Sequence, residues 1–386
     1  MRVDVNDTFH GLFVAGCVLL PFSTGPESGG VLSFGLPFFV LAALLVPPIL
    51  ARNAARIDGG AVLLATCFVA LIVASTVFSL NRGPASVRAA VNLVGFLVFL
   101  GRLAMVAFGR YPAQRLARIC MLSCAVLSAY FIVNFALAAS SHGIGAVILE
   151  RYVGGAMSLP WGASNTIAQV LLLAFVAYTT LEDPGPRDKA AMVLASCAIL
   201  LTFSRSVGML MLLMWAIVFG LRRTVIFAGC VTGGVAALFS AGVLEASRFE
   251  AFLASRLNPE KLMTAGGRFD TMAEKLGYFL ANPTEPIGYY ASLSVFDLSA
   301  HNYWLTTLVE QSFAAVVVSL LFFVYIWAKA LFKKPNVALA FMVVMLALMI
   351  EDPHFTQPYI MLFWSIVALV VSFEGRPRRG LVEVAR

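Results

Sequence analysis

The sequence predicts an all-α fold, a polytopic membrane bundle of about twelve helices with a helical loop on its outer face. Three observations predict it. The chain of 386 residues is 60% hydrophobic and only 12% charged. Its mean hydropathy is +0.90. Apolar runs recur along it at close to the roughly 20 residues that a helix needs to cross the hydrocarbon. Soluble domains are about a quarter charged, so this composition excludes a water-soluble enzyme, a disordered chain and a secreted disulfide scaffold.

The runs fall at 10–22, 31–50, 60–80, 90–109, 119–139, 163–181, 190–204, 207–221, 224–242, 302–332, 336–350 and 357–373. Each is read as one span. The first follows Arg2, but Asp4 and Asp7 dilute the basic flank and no A-x-A site follows, so it reads as a span and not as a cleaved signal peptide. Pro47 and Pro48 lie inside the second run, where neighbouring helices can satisfy the freed backbone. All six cysteines lie in apolar runs and read as small hydrophobes, which points to neither a disulfide framework nor a zinc site. No internal repeat of transporter type is evident. The chain divides into the spans of 1–242 with a loop at 140–162, a long loop at 243–301, and the closing spans with a basic tail at 302–386.

Orientation follows from the basic residues, which are retained on the cytoplasmic side. Alternating the runs puts most of the 27 Lys and Arg on one side, among them Arg52, Arg115, Arg187, Arg222, Lys333, Lys334 and the Arg376–Arg386 tail. Both termini are therefore expected in the cytoplasm, and the net charge of +7 reflects these loops and not nucleic-acid binding. The long outer loop holds two stretches of helical periodicity, Leu244 to Leu257, and Phe269, Met272, Leu276, Phe279 and Leu280. Both are expected to lie on the bilayer surface among membrane lipids.

No P-loop, Rossmann fingerprint or H-E-x-x-H helix occurs, so ATP hydrolysis and zinc proteolysis have no visible site. The outer side instead offers Arg205 in Thr202-Phe203-Ser204-Arg205-Ser206, Arg268 after Gly266-Gly267, and His301 before Asn302 and Tyr303. Guanidinium suits phosphate, and a neutral imidazole suits proton abstraction. Each also has a plain reading. Arg205 serves equally as a turn residue facing headgroups, Arg268 as a solvated helix start, and His301 as an interface residue. Glu310 falls inside an apolar run, which makes it either a functional group or the structural partner of Arg102, itself in mid-run.

In order, these pieces are Ser204-Arg205 at an outer hairpin, Gly267-Arg268 opening a helix that runs to Pro286-Ile287-Gly288, and His301-Asn302 with Glu310 nine residues on. The order resembles the O-antigen ligase and polysaccharide polymerase superfamily. The stretch from Arg151 to Asn165-Thr166-Ile167-Ala168 is similar to the family's preceding outer loop. The likeness covers the middle and C-terminal half of the chain. It departs at Ser206, Tyr289-Tyr290 and Ser312, where the family often has Gly.

The resemblance implies a GT-C-like membrane glycosyltransferase of the bacterial inner membrane. Such an enzyme moves a glycan from polyprenyl (undecaprenyl) pyrophosphate to an acceptor hydroxyl on the periplasmic face, with no cofactor and no metal. The acceptor is another glycan, for a polymerase, or lipid A core, for a ligase. Arg205 and Arg268 would stabilise the pyrophosphate leaving group and His301 would orient or deprotonate the acceptor. Arg151, Asn302, Tyr303, Glu351, Asp352 and His354 would contact substrate, and His142 and His354 stand in reserve for His301. The Glu351-Asp352 pair has the donors for a metal, but the resemblance favours an acceptor-orienting role. The rival class is a transporter or flippase with a midplane site around Arg102 and Glu310.

Overall fold

The computed structural model describes residues 4–24, 32–53, 57–107, 112–144, 147, 164–240, 250, 268–296, 302–350 and 357–372. The chain folds as α1 (Val5–Leu19), a β1 (Ser23–Thr24) and β2 (Leu32–Ser33) hairpin, α2 (Leu36–Leu44), α3 (Val46–Asn53), α4 (Gly59–Val77), α5 (Arg82–Ala107) and α6 (Ala113–His142). There follow α7 (Ser164–Thr180), α8 (Pro186–Leu201), α9 (Arg205–Phe219), α10 (Leu221–Ser240), α11 (Arg268–Ala281) and α12 (Ser292–Phe296). The chain then runs through α13 (Tyr303–Glu310), α14 (Phe313–Lys333), α15 (Pro335–Ile350) and α16 (Gln357–Ser372). The fold is all-α, and α4, α5, α6 and α14 are long and apolar enough to cross a membrane. The parts of α1, α7, α9, α15 and α16 that lie among the described residues are apolar but shorter.

Three expected runs are corrected. Run 31–50 is two helices, because Leu45 ends α2 and Pro47 and Pro48 fall in the first turn of α3, where a missing N–H costs nothing. Run 302–332 breaks at Gln311-Ser312: Ser312 takes φ 135° and its hydroxyl caps α14 through the Ala315 N–H. Run 90–109 begins two turns early, at Arg82, which makes Arg88 and Asn92 helix residues.

Two helices form the core. From Ile167 to Leu181 in and just past α7, and from Ile360 to Val371 in α16, every residue is buried, the pattern of a helix wrapped by others on all sides. Trp364 of α16 is fully buried among Phe68, Phe96, Phe99, Phe322 and Phe363. The indole approaches α5 so closely that a Cβ on Gly95 would strike it. The outward surface is apolar, with Leu63, Val77, Leu137, Met209, Val225 and Phe332 exposed. So much bare hydrocarbon is what a lipid-facing surface would present.

The C-terminal carbonyls of both core helices are capped by one lysine pair. Lys334 Nζ donates to Thr179 O at 2.6 Å and Leu181 O at 3.4 Å, and Lys333 Nζ donates to Val371 O at 2.7 Å. Cations suit helix C-termini, where the dipole is negative. Nearby in the fold, Asp58 caps α4 through the Ala61 N–H and binds Lys329 at 3.0 Å and the Tyr325 hydroxyl at 2.7 Å.

Candidate functional site

Polar side chains converge at the end of the bundle where α4 stops and α5 begins. The organising element is the turn from Pro286 to Ser292, between α11 and α12. Gly288 takes φ +92°, and a Cβ there would strike the Ser79 backbone just past α4, so only glycine fits. The close approach lets Tyr289 N donate to Ser75 O at 3.2 Å and Ser79 Oγ donate to Tyr289 O at 2.7 Å.

Beyond it, Tyr289 and Tyr290 reach α5. Asn92 Nδ2 donates to the Tyr289 hydroxyl at 3.2 Å. Arg88 lies over the Tyr290 ring at 3.7 Å and donates to its hydroxyl at 2.9 Å. Burial pushes the Tyr289 hydroxyl's pKa up, with Glu310 and Tyr303 adding to it and Arg88 and Asn92 opposing, so the phenol is held neutral.

The third support is α13. Ile287 N donates to Val309 O at 3.1 Å. The buried Glu310 carboxylate accepts from Tyr290 N at 2.9 Å and Ser292 N at 3.0 Å. Such charge-assisted bonds to backbone N–H groups are strong. They also secure Tyr290, whose φ of 59° is costly for a bulky residue. Glu310 therefore ends a short helix and grips a turn, and does not stand midway along a span.

Of the residues expected in a site, three are described with their side chains. Asn302 caps α13, accepting from Leu305 N at 3.0 Å. Tyr303 donates to Ser319 Oγ of α14 at 3.2 Å and packs edge-on against Trp304 and Phe323. Arg205 opens α9, exposed, after a three-residue link in which Phe203 takes φ 52°. The link makes the expected tight hairpin. Both α9 and α13 pack on α15. Arg268 is the first described residue of α11, and only its backbone is described. Arg151, His301, Glu351, Asp352 and His354, and the Leu244–Leu257 stretch, lie outside the described residues.

The second amphipathic stretch is α11. Its Phe269, Leu276 and Leu280 are exposed as one stripe, while Thr271 and Lys275 are buried, Lys275 with its Nζ 5.4 Å from the centre of the Phe296 ring. The apolar stripe faces away from the protein, as it does on a helix that borders lipid.

The Arg102–Glu310 pair does not form. Arg102 lies over the Phe13 ring at 3.5 Å, and its Nη1 is 3.2 Å from His10 Nδ1. Glu310 reaches the turn beside Arg88, and from residue 88 to 102 of one helix is about 21 Å. A shared midplane site around these two charges is thereby removed.

Sequence reading missed Arg88, Asn92 and the Tyr pair as site residues. The signal was present: Arg88 and Asn92 are i and i+4 on one face of a largely apolar helix, where polar groups mark function or a specific partner. Among the described residues no group of three or more His, Cys, Asp and Glu is placed to hold a metal. Comparison with protein-family models and with curated proteins finds no match.

Proposed function

We propose that this chain is a membrane glycosyltransferase that transfers or polymerises a polyprenyl-pyrophosphate-linked glycan at the outer face of a bacterial inner membrane, within surface-polysaccharide assembly. In this reading about twelve crossings leave both termini in the cytoplasm and the Tyr289 cluster in the periplasm. The observation that carries it is the polar cluster. In a bundle with an apolar body, it braces the turn after Pro286 against α13, whose first residues directly follow His301.

The chemistry suits the residues. A sugar pyrophosphate is already activated, so transfer needs fixed cationic donors for the leaving group and an oriented acceptor hydroxyl. Arg205 and Arg268 supply the former, and His301 the latter. A second glycan is the favoured acceptor, and lipid A core the alternative. The flippase reading loses its shared midplane pair, since Arg102 and Glu310 stand apart.

The test is release of polyprenyl pyrophosphate by the purified protein given a lipid-linked glycan. Arg205→Lys and Arg268→Lys should weaken retention of the donor, because an ammonium lacks the planar fork. His301→Ala should retain donor and yield no product. Movement of intact lipid-linked glycan across a bilayer, with no pyrophosphate released, would replace the enzyme by a flippase. A reporter fused after Gly267 that signals from the cytoplasm would overturn the site's orientation.

A further inference from the structure

We propose that Arg88, laid on Tyr290, is a further phosphate-binding residue of this site, one that takes the pyrophosphate of the lipid carrier. The inference rests on the glycosyltransferase reading and names a contact that reading does not assign. Arg88 is half-buried near the start of α5. Its guanidinium has five N–H donors in a fixed fork. One goes to the Tyr290 hydroxyl at 2.9 Å, and among the described residues the others have no partner. Among the described residues no ion pair to a carboxylate is found for Arg88 either.

A guanidinium with a purely structural task is ordinarily matched to carboxylates or to carbonyl oxygens, which this one is not. Its plane is instead fixed by the ring beneath it at 3.7 Å. That ring is held by a residue in the left-handed region, itself secured by Glu310. A strained backbone that keeps one aromatic face under one cation is the kind of preorganisation that functional sites retain. The free edge of the fork suits two phosphate oxygens, and partial burial strengthens the attraction relative to open water.

The position fits the carrier. Arg88 binds Tyr290, whose N–H is held by Glu310 at the end of α13, so the guanidinium belongs to the same braced unit as that helix. Arg88 is also beside the lipid-facing surface, with Val87 44% exposed next to it in sequence. A polyprenyl tail can therefore lie along the bundle while its pyrophosphate reaches the fork. The same chemistry would take the phosphate of an ordinary anionic headgroup, and the test separates the two sources.

The full-length protein in phosphatidylcholine nanodiscs is titrated with undecaprenyl pyrophosphate, undecaprenol and phosphatidylglycerol, and binding is read by native mass spectrometry. Wild type should prefer the pyrophosphate to the alcohol. Arg88→Gln should weaken pyrophosphate binding about tenfold or more, by loss of a charge-assisted contact. Arg88→Lys should weaken it severalfold, and Tyr290→Phe, which keeps the ring, should stay within about threefold of wild type. Equal binding of pyrophosphate by wild type and by both Arg88 variants overturns the Arg88 proposal and leaves the glycosyltransferase reading standing. Wild type that binds pyrophosphate no better than undecaprenol overturns that reading as well. A variant loss as large for phosphatidylglycerol as for pyrophosphate makes Arg88 a headgroup contact and overturns the carrier assignment. If Arg88→Gln does not fold, as judged by gel-filtration profile, Arg88→Lys decides alone, and unchanged affinity there refutes the proposal.

Discussion

Replacing Glu310 by Gln tests whether this carboxylate positions or reacts. Its two oxygens accept from Tyr290 N at 2.9 Å and Ser292 N at 3.0 Å in a buried setting. The amide keeps one acceptor and turns an NH2 toward the other backbone N–H. One buried N–H is then unsatisfied, at about 1–3 kcal/mol, and the surviving bond loses its charge assistance. Relief from burying a charge offsets part of this, which leaves a net cost of about 2 kcal/mol. Glu310→Ala orphans both N–H groups and opens a void, so about 4 kcal/mol is expected. Thermal unfolding in detergent reads the global cost. Hydrogen exchange over residues 287–292 reads the local one, where about 2 kcal/mol corresponds to roughly thirtyfold faster opening. Protein yield should fall before turnover per folded molecule does. Wild-type protection over the turn in Glu310→Gln would refute the bracing argument, and a well-folded but inactive variant would make Glu310 part of the chemistry.

Gly288→Ala should cost about 3 kcal/mol or more, since φ +92° and the Ser79 backbone both oppose a Cβ; wild-type unfolding behaviour would contradict this. Lys334→Met should lower stability by about 1–2 kcal/mol by uncapping α7, with increased exchange of the Thr180–Glu182 amides as its local signature. For Asp58, burial raises the carboxyl's pKa, but hydrogen bonds from Tyr325, the Ala61 N–H and Lys329 outweigh it and hold the pKa below its ordinary value. A depressed carboxylate stabilises fully above its unfolded pKa of about 3.9 and loses that contribution as pH falls through the folded value. The stability gap between wild type and Asp58→Asn, about 1 kcal/mol or less for so exposed a pair, should therefore be complete at pH 6 and vanish in acid, and a gap that widens in acid would reverse the sign.

The helices were legible because an apolar run of this length is written locally: runs 60–80, 163–181 and 207–221 match α4, α7 and α9 closely. The break at Gln311-Ser312 was legible in principle, since Ser312 stands before an apolar run in the manner of an N-cap. The surrounding hydrophobicity hid it. The motif elements placed the Arg205 hairpin. What sequence could not give was partnership across distance. Arg88 meets Tyr290 202 positions away, and Asn92 meets Tyr289 197 positions away. Neither pair has a periodicity or a spacing of its own. Tyr289 and Tyr290 carried no signal for the same reason, although both side chains join the turn to α5.

The arrangement of these contacts bears on how any loss of activity should be read. Tyr289 is tied to α4 through Ser75 and Ser79 and to α5 through Asn92, and its neighbour Tyr290 is tied to α5 through Arg88 and to α13 through Glu310. No one of these bonds contributes more than a few kcal/mol, yet moving α13 relative to α4 and α5 requires several to break together. The position of α13 is thus set by the turn from Pro286 to Ser292. On the glycosyltransferase reading proposed above, a substitution at Ser79, Asn92 or Gly288 should lower kcat and raise hydrogen exchange over the turn together, without touching substrate. A residue that meets the carrier's pyrophosphate should instead weaken donor binding while the turn keeps its protection. Arg88 is the one member of the cluster for which both measurements are informative. It leans on Tyr290 from one side and has further donors that no described residue takes, so the Arg88→Lys variant, which keeps a cation on the ring, is the substitution that separates placement from binding.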